Sequence, residues 1–298
     1  MTDAPGNGTG TDVGLSYHPT KFLLYAARKG ADFSQTLALG RQRISLVPRD
    51  LRALLKAFHK TPVSDSDKPA AHFGGHWDVL DISPYEGATI LHDLNLPVPP
   101  ELHERFTCIF DGGTTQHLFD LPQAFLNVMR MLKPGGMFVS ATVANNYLGH
   151  GLYQFSPELI HATFAPRNGF EMVDLVLTRA TRRERWYRVP RITRSGGRVE
   201  ICNAEPLKLL YAARKIAAAV PGRLDVYNSD YERQWEKSRK GLSVARNADH
   251  RAHRLREALP APLSNAIQTF RYTYRQFVWH RDLAAVPDAE IFGEGGGG

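Results

Sequence analysis

TCIFDGGTTQHLFDLPQAFLNVMRMLKPGGMFVSA, Thr107 to Ala141, decides the architecture of the chain. Thr107 to Phe110 is a short apolar run without alternation, which predicts a strand buried on both faces. It halts at Asp111, Gly112 and Gly113. After a polar loop, Leu121, Phe125, Val128, Met129 and Leu132 recur at helical spacing and mark one face of a helix. Pro122 suits its first turn and Asp120 can accept backbone N–H bonds as its cap; Lys133, Pro134, Gly135 and Gly136 supply a cation, a breaker and a left-handed stop. Met137 to Val143 reads as a second buried strand. Two buried strands bracketing a crossover helix are parallel, so the stretch predicts an α/β sheet with helices on both faces and ligands beyond the carboxyl ends of its strands. Functional side chains are therefore expected at Asp111 to His117 and at Ala144 to Ser156.

Working outward, QTLALG, Gln35 to Gly40, reads as the first strand, WDVLDIS as a strand finishing at Asp81, and ATILHDLN as another finishing at Asp93. Leu51, Leu54, Leu55 and Phe58 mark a helix, and the polar stretch from Thr61 to Gly75 an exposed loop. Ser156, Pro157 and Glu158 begin a further helix, and FEMVDLVL, Phe170 to Leu177, is a strand. Trp186 to Val189 and Arg198 to Cys202 flank a Ser-Gly-Gly turn and predict a hairpin. The heptapeptide LLYAARK occurs at Leu23 to Lys29 and again at Leu209 to Lys215. The first copy is expected in a helix from His18 to Lys29, the second in a strand within Pro206 to Ile216, with context overruling propensity.

The 298 residues divide by composition into a disordered Gly-rich stretch 1–14, a domain 15–216 and a basic helical extension 217–298 ending in a flexible EGGGG tail. In that extension the Phe270, Tyr274, Phe277 spacing suggests a helix packed on the domain. From Thr181 onward there are 22 Lys and Arg against 13 Asp and Glu, so the net charge of +7 belongs to the tail. TRRERWYR and RNADHRAHRLR suit nucleic acid, anionic lipid or an acidic partner, but arginines interleaved with acids favour a solvated helix face. No run approaches 18 apolar residues and the amino terminus lacks the regions of a signal peptide, which points to a cytoplasmic protein without a membrane span. Cys108 and Cys202 lie in apolar, strand-like runs and read as small hydrophobes. HFGGH, with His72 and His76, lacks a nearby carboxylate, and no metal site is expected.

An acid closing the second strand, another closing the third, an Asp-Gly-Gly loop after the fourth and LKPGG leading into the fifth resemble the class I S-adenosylmethionine-dependent methyltransferases, over roughly Phe33 to Ile216. The resemblance implies a Rossmann-like, mostly parallel seven-stranded sheet with one antiparallel strand, and S-adenosylmethionine as cofactor. By it, Asp81 would accept from both ribose hydroxyls, Asp93 from the adenine amino group with Leu94 supporting the ring, and Asp111 would lie near the methionine limb or the acceptor. A carboxylate suits a diol because it is acceptor only and makes charge-assisted bonds. The chain departs from the pattern after the first strand: where the family carries several glycines it offers Gly40 alone, then Arg41 and Gln42. Arg41 is expected either to pair with the cofactor carboxylate or to mark an altered pocket.

For the acceptor, the loops offer Thr114, Gln116 and His117, then Asn145, Asn146, His150, Tyr153 and Gln154. Methyl transfer needs mainly proximity, and a base only when the nucleophile carries a proton; His117 or His150 could take it, against the plainer reading of a loop histidine bonded to a backbone carbonyl. The expected substrate is a small-molecule hydroxyl or amine, such as a sugar or secondary metabolite. Oligomeric state leaves no trace in the sequence. Two other readings compete: a methyltransferase-like fold that acts as a binding module through its basic tail, favoured by the altered glycine loop, and an RNA methyltransferase whose arginines hold phosphates.

Overall fold

The computed structural model describes residues 14–62, 66–180, 183, 185–194, 197–201, 204–217, 220, 222–240, 260–275 and 281–293. Five parallel strands form the first half of the sheet: β1 (Gln35–Leu39), β2 (His76–Asp81), β3 (Ile90–Leu91), β4 (Phe106–Asp111) and β5 (Leu132–Asn145). β6 (Phe170–Arg179) and β8 (Leu207–Lys215) complete its body, with β8 antiparallel to both β5 and β6. Two-residue strands β7 (Tyr187–Arg188) and β9 (Ala284–Ala285) edge it, giving the order β3-β2-β1-β4-β5-β8-β6-β7-β9.

The expected crossover is present. Asp120 accepts from Gln123 N at 3.0 Å and starts helix α4 (Leu121–Met131), whose apolar face is buried. Lys133 to Gly136 do not end one element and begin another; they bulge within β5. The register steps from Phe106 opposite Leu132 to Cys108 opposite Met137, and Gly135, at φ +82°, supplies the left-handed residue.

Side-chain alternation feeds two cores. On one face Phe106, Ile109, Phe138, Leu209 and Tyr211 pack with α4 and with α5 (Pro157–Thr163). On the other, Cys108, Phe110, Val139, Leu210 and Ala212 pack with α1 (Tyr17–Arg28) and α2 (Pro48–Ala57). Cys108 is fully buried, as expected of a small hydrophobe, and burial pushes its thiol far up; Cys202 lies outside the described residues. The heptapeptide is helical in α1 up to Arg28 and extended in β8. The β8 copy is hydrogen-bonded on both edges, so ladder pairing decides its conformation.

Three sequence expectations change. The stretch expected to be an exposed loop contains a short helix, α3 (Ala70–Phe73), because Phe73 finds a seat against Phe33 and Trp77. The Trp186 to Val189 strand does not pair with Arg198 to Cys202. β7 pairs instead with β6 and β9, and Thr193 with Gly197 closes a separate turn. The third strand ends at Leu91, so Asp93 sits in a turn beyond it.

The carboxyl-terminal segment returns to the domain. Glu290 of α8 (Asp288–Phe292) bonds Lys29 and Arg188, while Arg188 and the Tyr25 hydroxyl both engage Asp174. The two cations hold the Glu290 carboxyl down at about 2, against some desolvation. Helices α6 (Ser229–Arg239) and α7 (Ala261–Arg275) precede this return, and Phe277 and the EGGGG tail lie outside the described residues. No described helix is long and apolar enough to cross a membrane.

Candidate functional site

The carboxyl ends of β1, β2 and β4 meet at Gly40. Its φ is +67°, and a Cβ there would fall 2.8 Å from Thr114 Oγ1 and 3.9 Å from Asp81 Oδ2, so both conformation and space demand glycine. Thr114 Oγ1 donates to Leu39 O at 2.7 Å, tying the β4 loop to the end of β1. Asp81 Oδ1 accepts from Ser83 N at 3.2 Å, while Oδ2 has no donor among the described residues and faces the glycine turn. That oxygen has the chemistry a ribose diol requires.

Beyond Gly40 the departure from the family pattern takes a definite shape. Arg41 Nη1 donates to Glu86 O at 2.7 Å, so the guanidinium crosses to the loop after β2 instead of waiting for a cofactor carboxylate. Gln42 folds back: Nε2 donates to Leu39 O at 3.0 Å and Oε1 is buried with no donor. Its carboxamide lies against Gly112, where a Cβ would be only 2.1 Å from Oε1. The glutamine fills the cradle that the missing Cβ leaves.

Asp111 is buried and spent on its own loop. Oδ1 accepts from Gly113 N (2.9 Å), Thr114 N (2.7 Å) and Thr115 N (3.3 Å); Oδ2 accepts from Thr115 Oγ1 (2.5 Å) and Ser140 Oγ (3.0 Å). Its expected place beside a ligand is corrected accordingly, since it shapes the loop through these bonds and offers no open acceptor. Asp93 Oδ1 closes a turn by accepting from Asn95 N and Nδ2, bonds that hold its carboxyl below the ordinary value. Leu94 is only 3 % exposed and belongs to the core, so Leu91 and Leu96 are the exposed apolar side chains that this rim presents in its place.

The β4 and β5 loops are welded together through Gln116. Its Oε1 accepts from Val143 N at 3.2 Å, and its backbone carbonyl accepts from Leu152 N and Tyr153 N. Gly151 permits this, because a Cβ there would lie 2.9 Å from Gln116 O. The weld brings His117 and His150 together with ring centroids 5.7 Å apart, and Tyr147 lies 5.6 Å from His150. Desolvation, then His117 and Lys208, push His150 below the ordinary histidine value. Gln116, Tyr153 and Gln154, all expected to face substrate, are engaged within the loops: Tyr153 Oη donates to Phe119 O, and Gln154 Oε1 accepts from Tyr147 N. Asn145 Oδ1 is buried without a donor, and Asn146, at φ +57°, donates to Glu205 O. Phe119, Leu148 and Leu152, each two residues in sequence from one of these histidines, stand exposed, Leu148 at 94 %. Tyr147 and Ser140 escaped the sequence reading. Ser140, one of two hydroxyls inside the run MFVSATV, was the available signal for a buried acceptor opposite it.

Among the described residues no group of three or more His, Cys, Asp or Glu could hold a metal ion, and His72 instead bonds Ser66 O. A cavity of about 270 Å³ beside α5 includes Arg191 and Arg198, whose charges are taken by Glu232 and Asp230.

No family model matches this sequence, and none of the curated proteins does. Solved structures are similar in part. The Burkholderia thailandensis 1,6-didemethyltoxoflavin-N1-methyltransferase, with bound 1,6-didemethyltoxoflavin and S-adenosylhomocysteine, is 14 % identical over 67 % of this chain and 78 % of its own, at a TM-score of 0.37. The branched-chain polyamine synthase of Thermus thermophilus is 16 % identical over 76 % and 62 %, at 0.36. An S-adenosylmethionine dependent methyltransferase of Mesorhizobium loti is 15 % identical over 63 % and 95 %, at 0.32. Overlays this loose carry no weight beside the sheet itself. Parallel strands in the order β3-β2-β1-β4-β5, followed by β8 antiparallel between β5 and β6, give the chain a class I S-adenosylmethionine-dependent methyltransferase-like fold.

Proposed function

We propose that the protein is an S-adenosylmethionine-dependent methyltransferase whose acceptor is a hydroxyl or amine on a small organic molecule. The observation that carries this reading is one continuous row at the sheet's carboxyl edge. Asp81 Oδ2 and Thr114 Oγ1 both face Gly40, and Thr114 begins the loop that leads to the His117 and His150 pair.

The residues present fit the adenosine half of the cofactor as they stand, and the methionine half with Gln42 turned off Gly112. Asp81 Oδ2 would accept from the ribose, and the Leu91 and Leu96 rim would flank the base. With Gln42 moved, the bare Gly112 cradle is open and the Gln42 carbonyl gains access to a donor. Bound there, the cofactor supplies an electrophilic methyl group on its sulfonium. His150 would be the base: desolvation lowers its pKa and keeps it neutral near neutral pH, ready to hold the acceptor's proton at a ring nitrogen. Phe119, Leu148 and Leu152 would enclose an apolar acceptor and exclude water.

Calorimetric titration with S-adenosylmethionine and S-adenosylhomocysteine tests this. Binding should be micromolar, and Asp81→Ala should weaken it by about 1.5–3 kcal/mol, the scale of a hydrogen bond to a charged group. The filled cradle over Gly112 favours a second reading, a fold kept as a binding module. Absence of heat with both the wild-type protein and Gln42→Ala would establish that reading and sink the first.

A further inference from the structure

The Phe270, Tyr274, Phe277 spacing suggests a helix packed on the domain; Phe277 lies outside the described residues, and Phe270 and Tyr274 of α7 are exposed. Leu263, Ile267, Phe270 and Tyr274 recur at steps of four, three and four, forming one stripe along the helix. That stripe is open to solvent: Phe270 is 71 % exposed, Tyr274 59 % and Leu263 50 %, and the Phe270 and Tyr274 rings stack on each other 6.2 Å apart. The surrounding sequence is one-signed. From Ala258 to Arg281 there is no Asp or Glu, while Arg271 and Arg275 lie within the helix.

Three kinds of surface could cover such a stripe, and they are separated by charge. A second copy of the helix would bury the apolar side chains but bring two sets of arginines together with no acid between them. RNA would neutralise the arginines and leave Leu263 and Ile267 in water. An anionic bilayer answers both demands, since acyl chains take the apolar stripe, headgroups take the guanidinium charge, and tyrosine favours the boundary between them. At 15 residues α7 is shorter than the roughly 20 needed to span a bilayer, so it would lie in the surface plane. We propose that α7 is an amphipathic docking helix that seats this protein on anionic lipid.

Co-sedimentation of the full chain with phosphatidylcholine vesicles, with and without phosphatidylglycerol, tests the proposal. Binding should require the anionic lipid and weaken as salt is raised. The double substitution Ile267→Gln and Phe270→Gln should lower partitioning about tenfold or more while leaving the melting temperature unchanged, because both side chains are already exposed. Failure to sediment with either vesicle overturns the proposal, as does equal partitioning of the double variant. A dimer in analytical ultracentrifugation that the double variant abolishes, without vesicle binding, would assign the stripe to a second copy. A shifted RNA band without vesicle binding would assign the segment to RNA.

Discussion

Replacing Gln42 with alanine should tighten S-adenosylmethionine binding. In the closed position the carboxamide gains one good hydrogen bond, Nε2 to Leu39 O at 3.0 Å, and strands a buried carbonyl oxygen. A neutral hydrogen bond contributes about 0.5–1.5 kcal/mol, and an unmet buried polar group costs about 1–3 kcal/mol. The closed carboxamide therefore stabilises the fold little, and Gln42→Ala should shift unfolding free energy by no more than about 1 kcal/mol in either direction. Binding is affected differently. Turning the wild-type side chain off Gly112 breaks the bond to Leu39 and restricts the displaced side chain, at a combined cost of about 1.5–3 kcal/mol, of which release of the stranded carbonyl returns about 1 kcal/mol. Alanine removes the remaining cost, so affinity should rise about 2- to 30-fold. Parallel calorimetric titrations of wild type and variant, with S-adenosylhomocysteine as a second ligand, read this directly. Weaker binding by the variant would show that Gln42 contacts the ligand, and unchanged binding would place Gln42 outside the site; either refutes the displacement argument.

Other perturbations have defined outcomes. His150→Gln should slow transfer to a protonated acceptor by about two to four powers of ten with little change in cofactor affinity, and the wild-type rate should fall only below the ordinary histidine value of about 6.5; a full-rate variant removes His150 as base. Asp111→Asn would set an amide N–H₂ among five donors and should cost about 3–5 kcal/mol in urea unfolding, whereas a change under about 1 kcal/mol would mean that the loop does not depend on those bonds. Lys21 is pushed down to about 8 by burial, although the Trp186 and Phe292 rings, 4.7 and 4.6 Å away, favour its charged form. Between about 8 and 10.5 the unfolded chain holds a proton that the folded chain lacks, so stability should rise with pH through that window, and Lys21→Met should abolish the rise. Glu290 runs the other way. Its carboxyl, held at about 2, stabilises the fold above 4.5 and loses that contribution as pH falls toward 2; discounted for solvent screening it is worth about 1–2 kcal/mol, and Glu290→Gln should remove it.

The sheet was legible because its signals are local. The apolar run at Thr107 and the spaced face of α4 each specify an element without help from distant residues. What stayed hidden depends on partners far apart in sequence. Nothing around Gly112 announces that Gln42 lies on it, since the two meet only when β1 and β4 pair. Asp111 reads like any carboxylate at a strand end; its duty appears once β5 sets Ser140 opposite it. The resemblance sets Leu94 beside the adenine ring, but the strand stops two residues before Asp93 and Leu94 turns into the core. His117 and His150 were each visible as loop histidines, and their meeting required Gln116 to join two loops that no spacing connects.

The twin heptapeptides do more than occupy different elements; they touch. Arg214, in the second copy, donates to the carbonyl of Lys29, in the first, and α1 packs on the sheet face to which β8 contributes Leu210 and Ala212. During synthesis the first copy leaves the ribosome long before the second, and until Leu207 arrives β5 has an unpaired edge. A sequence identical to the heptamer that will fill that edge, Leu23 to Lys29, is already present by then. Its helical state in α1 therefore does a second job, since it withholds an identical strand former from the open ladder of β5.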